Sequence, residues 1–180
     1  MLVLYVGGSA SGKSEAAEQA ALRLATEERR PLIYLATMQG GGEEAAARIA
    51  RHRAQRAGRG FLTVECPHAI HTLALPDGAV VLLEDLGNLV GNVLFSKEAE
   101  KQAEENVLAL LKKRIFCLEA RCRALFLVGA LLAEEAPYSR ETERYVRLFS
   151  ALQNALAARA EEIVFVELGR ERTVERRNIG

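Results

Sequence analysis

The chain alternates short apolar runs with longer segments in which apolar residues recur at helical spacing. Residues 2 to 6, Leu-Val-Leu-Tyr-Val, are apolar throughout and rich in strand formers, the pattern of a strand buried on both faces. Glycines break that run. From Lys13 to about Thr26 alanines and leucines return at helical spacing, with Glu15, Glu18 and Gln19 for the outer face. Further apolar runs lie at 31 to 36, after the charged turn Glu27-Glu28-Arg29-Arg30, and at 79 to 83, after the turn Pro76-Asp77-Gly78. Two more, at 124 to 128 and 163 to 166, each follow a long helical segment. Strands alternating with helices predict an α/β fold, a three-layer sandwich whose mainly parallel central sheet is covered on both faces.

Three stretches depart from this rhythm. Residues 40 to 60, "GGGEEAAARIARHRAQRAGRG", begin and end in glycine and carry five arginines and one histidine, which fits a short, solvated amphipathic helix. Residues 96 to 114 predict a helix with Ser96 as its N-cap and a first half too charged for the core. His68 and His71 fall in a helical stretch after Cys66 and are expected to be structural or solvent-exposed. No internal repeat, low-complexity tract or linker interrupts the pattern, so residues 1 to 180 are expected to form a single domain.

Composition narrows the function classes. Lys plus Arg and Asp plus Glu number 24 each, so overall charge draws the chain neither to nucleic acid nor to anionic lipid, and a small molecule is the expected partner. Cys66, Cys117 and Cys122 form no CxxC pair and are odd in number, which argues against a disulfide framework or a zinc site and suits a reducing cytoplasm. The N-terminus reads as strand rather than signal peptide, and no apolar run is long enough to span a bilayer.

The break after the first strand carries the chemistry. Gly7, Gly8, Ser9, Ala10, Ser11, Gly12, Lys13 and Ser14 fit G-x-x-x-x-G-K-[ST] without a gap, between a predicted strand and a predicted helix. Glycines let successive backbone N–H groups converge on a β-phosphate at the positive end of the helix. Lys13 would reach the β- and γ-oxygens, and Ser14 would offer its hydroxyl to a magnesium ion bridging them. A P-loop NTPase-like domain that binds a nucleoside triphosphate with Mg2+ follows. Such sites normally add an acidic residue at the end of a neighbouring strand, and "VVLLEDLGN" supplies Glu84 and Asp85 after the third apolar run. Either carboxylate there has a second use, as a cap for the segment that follows.

With these residues in place, the chain resembles the bifunctional adenosylcobinamide kinase and adenosylcobinamide-phosphate guanylyltransferase family of cobalamin synthesis, as a divergent member. The likeness rests on "GGSASGKS" at 7 to 14, "YLATMQ" at 34 to 39, "RIARHR" at 48 to 53, "TVEC" at 63 to 66, "LLEDLGNLVGNVLF" at 82 to 95 and "NALAARAEEIVFVELG" at 154 to 169. The resemblance implies that His52 is the nucleophile that takes GMP from GTP. Crowding by Arg48, Arg51, Arg53 and Arg56 would disfavour its cationic form and stabilise phosphate oxygens. It further implies nucleotide contacts at Ala36, Thr37, Met38, Arg53, Ala54, Gln55, Arg56, Glu65 and Glu84, with Ser14 and Glu84 on the metal. Glu65 fits guanine, whose N1–H and N2 amino group a carboxylate accepts; it fits equally a surface carboxylate ending a short strand.

The implied substrates are GTP or ATP and a corrinoid, and the implied assembly is a homotrimer, with 96 to 114 or 129 to 137 as candidate contacts. The chain departs from the family at "GALLAEEAP", 129 to 137, where an Asn-Glu-Val-Gly block is usual, and at Ser150 and Gln153-Asn154. Those departures leave open a relative with one activity only, kinase or guanylyltransferase; Glu134 or Glu135 is the candidate stand-in for the lost Asn-Glu pair. A non-catalytic GTP-binding regulator is the reading from another class.

Overall fold

The computed structural model describes residues 1–39, 58–99, 101–132 and 138–175. Within them, strands β1 Leu2–Gly7, β2 Leu32–Ala36, β3 Leu62–Glu65, β4 Val80–Glu84, β5 Ala124–Val128, β6 Glu162–Glu167 and β7 Arg170–Glu175 join in one sheet of order β3-β2-β4-β5-β1-β6-β7. Every neighbouring pair is parallel except β6 and β7, which form a hairpin. The helices are α1 Lys13–Glu27, α2 Leu86–Leu94, α3 Glu104–Glu119 and α4 Arg140–Ala157, with a 3-10 turn at Ile70–Thr72.

The continuous apolar strands divide their side chains between two cores. Leu2, Leu4 and Val6 of β1 join Ile33, Leu35, Val81, Leu83, Leu125 and Leu127 against α2, α3 and α4. Val3 and Tyr5 join Tyr34, Val80, Leu82, Phe126 and Val128 against α1. This is the period of two that a pleated strand imposes. The α1 face is built from Ala16, Ala17, Ala20, Ala21 and Ala25, whose small side chains let the helix lie close to the sheet. The opposite face is filled with larger residues such as Leu89, Leu111, Phe149 and Leu152.

All five predicted apolar runs are strands, with ends shifted by a residue at most. Two strands escaped that reading. β3 is a sheet edge with Leu62 59% exposed, so only a short polar-apolar mixture marks it. β7 is polar but for Val174 and exists because the Leu168-Gly169 loop, with φ of 49° and 73°, turns it back antiparallel onto β6. Positive φ at both loop residues matches the right-handed twist of the flanking strands.

The helix expected from Ser96 begins instead at Glu104. Ser96 sits just past α2, with its hydroxyl donating to the Val93 carbonyl (2.8 Å) and accepting from the Ala99 N–H (3.3 Å). α2 itself, "LGNLVGNVL", was not expected, because two glycines and two asparagines depress its intrinsic helicity. Burial of Leu86, Leu89, Val90, Val93 and Leu94 outweighs that deficit. The stretch after Cys66 is not a regular helix: His68 lies before the 3-10 turn and His71 within it. Residues 40–57, which include the expected arginine-rich helix, and residues 133–137 with Glu134 and Glu135 lie outside the described residues.

Candidate active site

The loop after β1 is shaped by contacts that leave little freedom. Gly7 ends β1 beside Val166, and a Cβ on it would stand 2.4 Å from both the Ser11 Oγ and the Val166 carbonyl. Only hydrogen fits there. Ala10 has φ of 55°, a left-handed conformation that a non-glycine residue adopts only when its surroundings hold it. One such hold is the β6–β7 loop, where the Gly169 N–H donates to the Ser11 carbonyl at 2.9 Å. Gly12, φ 93°, begins α1 without a side-chain cap, so the first amides of the helix face outward at its positive end. Lys13 donates from Nζ to the Gly8 carbonyl at 3.0 Å, which fixes its ammonium across the loop. Converging amides, a helix N-terminus and a positioned ammonium suit a triphosphate.

Ser14 and Glu84 meet although β5 separates their strands. The Ser14 hydroxyl donates to Glu84 Oε1 at 2.7 Å, while Glu84 Oε2 is buried with no hydrogen-bond partner. Burial pushes the Glu84 carboxyl up to about 7, the Asp85 and Glu18 charges push it the same way, and the Ser14 hydrogen bond and Lys13 oppose them. The adjacent Asp85 has a different task. It caps α2, accepting from the Asn88 N–H (2.7 Å) and side-chain amide (3.1 Å). Of the two carboxylates read from the sequence, Glu84 faces the loop and Asp85 holds the next helix.

The pair Ser14 and Glu84 fits magnesium. This ion keeps several waters and takes one or two protein oxygens beside those of the phosphates, rather than a closed protein cage. Glu84 Oε2 lacks any partner that a cation would have to displace. Among the described residues no group of three or more His, Cys, Asp or Glu stands close enough to hold a metal alone.

The other expected nucleotide residues lie along the strand ends. Ala36 pairs with Glu65 on one side and Glu84 on the other, so all three share one row. Glu65 ends β3 and is exposed; Met38 is half-buried beyond β2. From β3 to β1 that row crosses four strand spacings, about 19 Å. Thr37 is fully buried, and its hydroxyl donates to the carbonyls of Glu84 (3.0 Å) and Asp85 (2.7 Å). Its side chain therefore fixes the backbone under Glu84. His52, Arg53, Ala54, Gln55 and Arg56, with Arg48 and Arg51, lie outside the described residues.

Sequence reading passed over the polar face of α2. Asn92 donates from Nδ2 to the carbonyls of Thr37 (2.7 Å) and Pro67 (3.1 Å), tying the loops after β2 and β3 to this helix. Asn88 and Asn92, with His68, Gln39, Phe95 and Ser96, border a cavity of about 470 Å3. The signal was present as two asparagines four apart in an otherwise apolar run, which puts both on one helical face. A larger cleft of about 1110 Å3 lies on the other flank, between loop residues 8–11 and the β6–β7 hairpin.

The parallel sheet, the glycine loop leading into α1 and the Ser14–Glu84 contact at the carboxyl ends of the strands define an α/β protein of the P-loop nucleotide-binding class. The particular family is equally plain: the chain belongs to the CobU family, described as cobinamide kinase / cobinamide phosphate guanyltransferase, which matches residues 3–174. It is 30% identical over 181 residues to the bifunctional adenosylcobalamin biosynthesis protein CobU of Salmonella typhimurium, covering 94% of this chain and 97% of that protein. It is 32% identical over 170 residues to the bifunctional adenosylcobalamin biosynthesis protein CobP of Pseudomonas aeruginosa, covering 92% of each.

Proposed function

We propose that the protein phosphorylates the aminopropanol hydroxyl of adenosylcobinamide and then transfers GMP from GTP, through His52, to the phosphate so formed, giving adenosylcobinamide-GDP. The observation that carries this reading is the Ser14–Glu84 contact at 2.7 Å beside the glycine loop, in a chain that matches the bifunctional family over nearly its whole length. In the kinase step Lys13 and the loop amides stabilise charge on the transferred phosphoryl group. Ser14 and Glu84 would hold magnesium, which neutralises phosphate charge when bound. Ala36, Thr37, Met38, Arg53, Ala54, Gln55 and Arg56 would line the nucleotide, and Glu65 would read guanine.

In the transfer step the neutral His52 imidazole attacks the α-phosphorus of GTP and pyrophosphate leaves. The P–N bond so formed then breaks as the corrinoid phosphate oxygen takes the GMP. The same reading carries a homotrimer and a cytoplasmic setting, in which Cys66, Cys117 and Cys122 stay as the free thiols they are here. No helix among the described residues is long and apolar enough to cross a membrane.

Incubation with α-labelled GTP tests the nucleophile. Acid-labile, base-stable label should appear on the protein and vanish in His52→Ala. Persistence of the label in that variant removes His52 from the mechanism. Mass analysis of the corrinoid products, with GTP or ATP as donor, tests both activities and separates a single-activity enzyme from a bifunctional one.

A further inference from the structure

Resting on the function just proposed, we infer that the cavity along α2 receives the acceptor, binding the hydroxyl-bearing arm and adjoining amide edge of the corrinoid through uncharged side chains. Position is the first ground. α2 starts directly after Glu84-Asp85, and Asn88 is bonded to Asp85 at 2.7 Å, so the cavity opens one helical turn from the carboxylate that Ser14 contacts. Asn92 lies about 6 Å farther along the axis. An acceptor held there has its hydroxyl beside the terminal phosphate of a nucleotide in the loop.

Lining chemistry is the second ground. Among the described residues, the lining side chains Gln39, His68, Asn88, Asn92, Phe95 and Ser96 include no Asp, Glu, Lys or Arg. These described residues present carboxamides, a hydroxyl and an imidazole: Gln39, His68 and Asn88 can donate and accept toward amides, while Asn92 and Ser96, whose donors are engaged within the protein, can accept. Phe95, 64% exposed at the end of α2, offers an apolar face to the flat part of a macrocycle. The half-buried His68 imidazole makes no hydrogen bond to any described residue. By contrast, the cleft beside the β6–β7 hairpin carries Glu167, Arg170, Glu171 and Arg172.

Rigidity is the third ground. Asn92 holds the Thr37 and Pro67 carbonyls, and Thr37 holds the backbone of Glu84 and Asp85. The cavity wall and the carboxylate at the phosphate end are thus parts of one hydrogen-bonded unit, which keeps acceptor and donor in register.

The test compares His68→Ala, Phe95→Ala and the double variant of the full chain in steady-state turnover of cobinamide. Each single change should raise the KM for cobinamide about tenfold and the double change more. The KM for the nucleotide donor and the corrinoid-independent labelling by α-labelled GTP should stay within about twofold, and that labelling also reports a folded protein. Should a variant fail to label, Ser96→Trp, which fills the cavity from its rim, takes its place, with the same expectations. An unchanged KM for cobinamide in the double variant, while the wild type turns cobinamide over, overturns the assignment of this cavity and leaves the proposed function standing. A wild type that labels with GTP yet neither binds nor phosphorylates cobinamide overturns both.

Discussion

Glu84 and Glu65 flank Ala36 in the same row of strand ends, one on each side, yet the fold treats them oppositely. Glu84 ends an interior strand, has one oxygen on Ser14 and the other buried without a partner, and is pushed up to about 7 by burial. Glu65 ends an edge strand and is exposed. The difference teaches that a carboxylate is prepared for a cation by its place in the sheet. An interior strand end removes water and leaves an oxygen waiting for charge, whereas an edge strand end leaves a carboxylate exposed to solvent.

The sharpest way to break this comparison is to remove the cation that opposes the raised Glu84. Lys13→Ala should lower kcat/KM of the kinase step by on the order of a thousandfold, the scale of deleting one preorganised electrostatic contact. A loss under tenfold would place the phosphates away from the loop and leave the isolation of Glu84 without a purpose.

Next in size is a pH effect on stability. The Glu84 value near 7 lies above its ordinary 4.5, so the folded protein holds this proton more tightly than the unfolded chain. Its favourable contribution is complete below about pH 4.5 and is lost as pH rises through 7. Urea melts of metal-free protein should therefore show stability falling between pH 4.5 and 8 by up to about 3 kcal/mol on account of this group. Glu84→Gln should flatten that part of the profile and weaken magnesium-nucleotide binding. A wild-type profile identical to that of Glu84→Gln would mean that burial does not hold the Glu84 proton.

Smaller again is the tie beneath the row. Thr37→Val keeps the shape but leaves two carbonyls without the hydroxyl, costing about 1 to 3 kcal/mol in a denaturant melt. Its nucleotide affinity should fall alongside. Smallest is Glu65→Gln, which should change stability by less than about 0.5 kcal/mol, as surface substitutions do. In labelling with α-labelled nucleotides it should reduce the preference for GTP over ATP roughly tenfold, the scale of one lost charged hydrogen bond. Unchanged preference would remove Glu65 from guanine recognition.

The elements divide in the same way as the two glutamates. The five apolar runs and α1 were legible because neighbouring residues carry their whole signal, either as uninterrupted hydrophobicity or as alanines at helical spacing. β7 was not, because Arg170–Glu175 has Val174 as its single apolar residue and owes its conformation to hydrogen bonds with β6. α2 was not, because its glycines and asparagines speak against a helix until five of its residues are buried.

By itself the sequence determined the phosphate loop, since Gly7, Gly12, Lys13 and Ser14 act through the backbone freedom and charge of eight consecutive residues. It also determined that a carboxylate would follow the apolar run at 79 to 83. Which carboxylate serves the loop, and that His68, Asn88 and Asn92 face one cavity, only the tertiary structure decided. Ser14 and Glu84 are 70 residues apart and meet across an intervening strand, and Asn92 reaches Thr37 over 55. Contacts at such separations depend on strand order and on which face each helix covers, and no local pattern of residues encodes either.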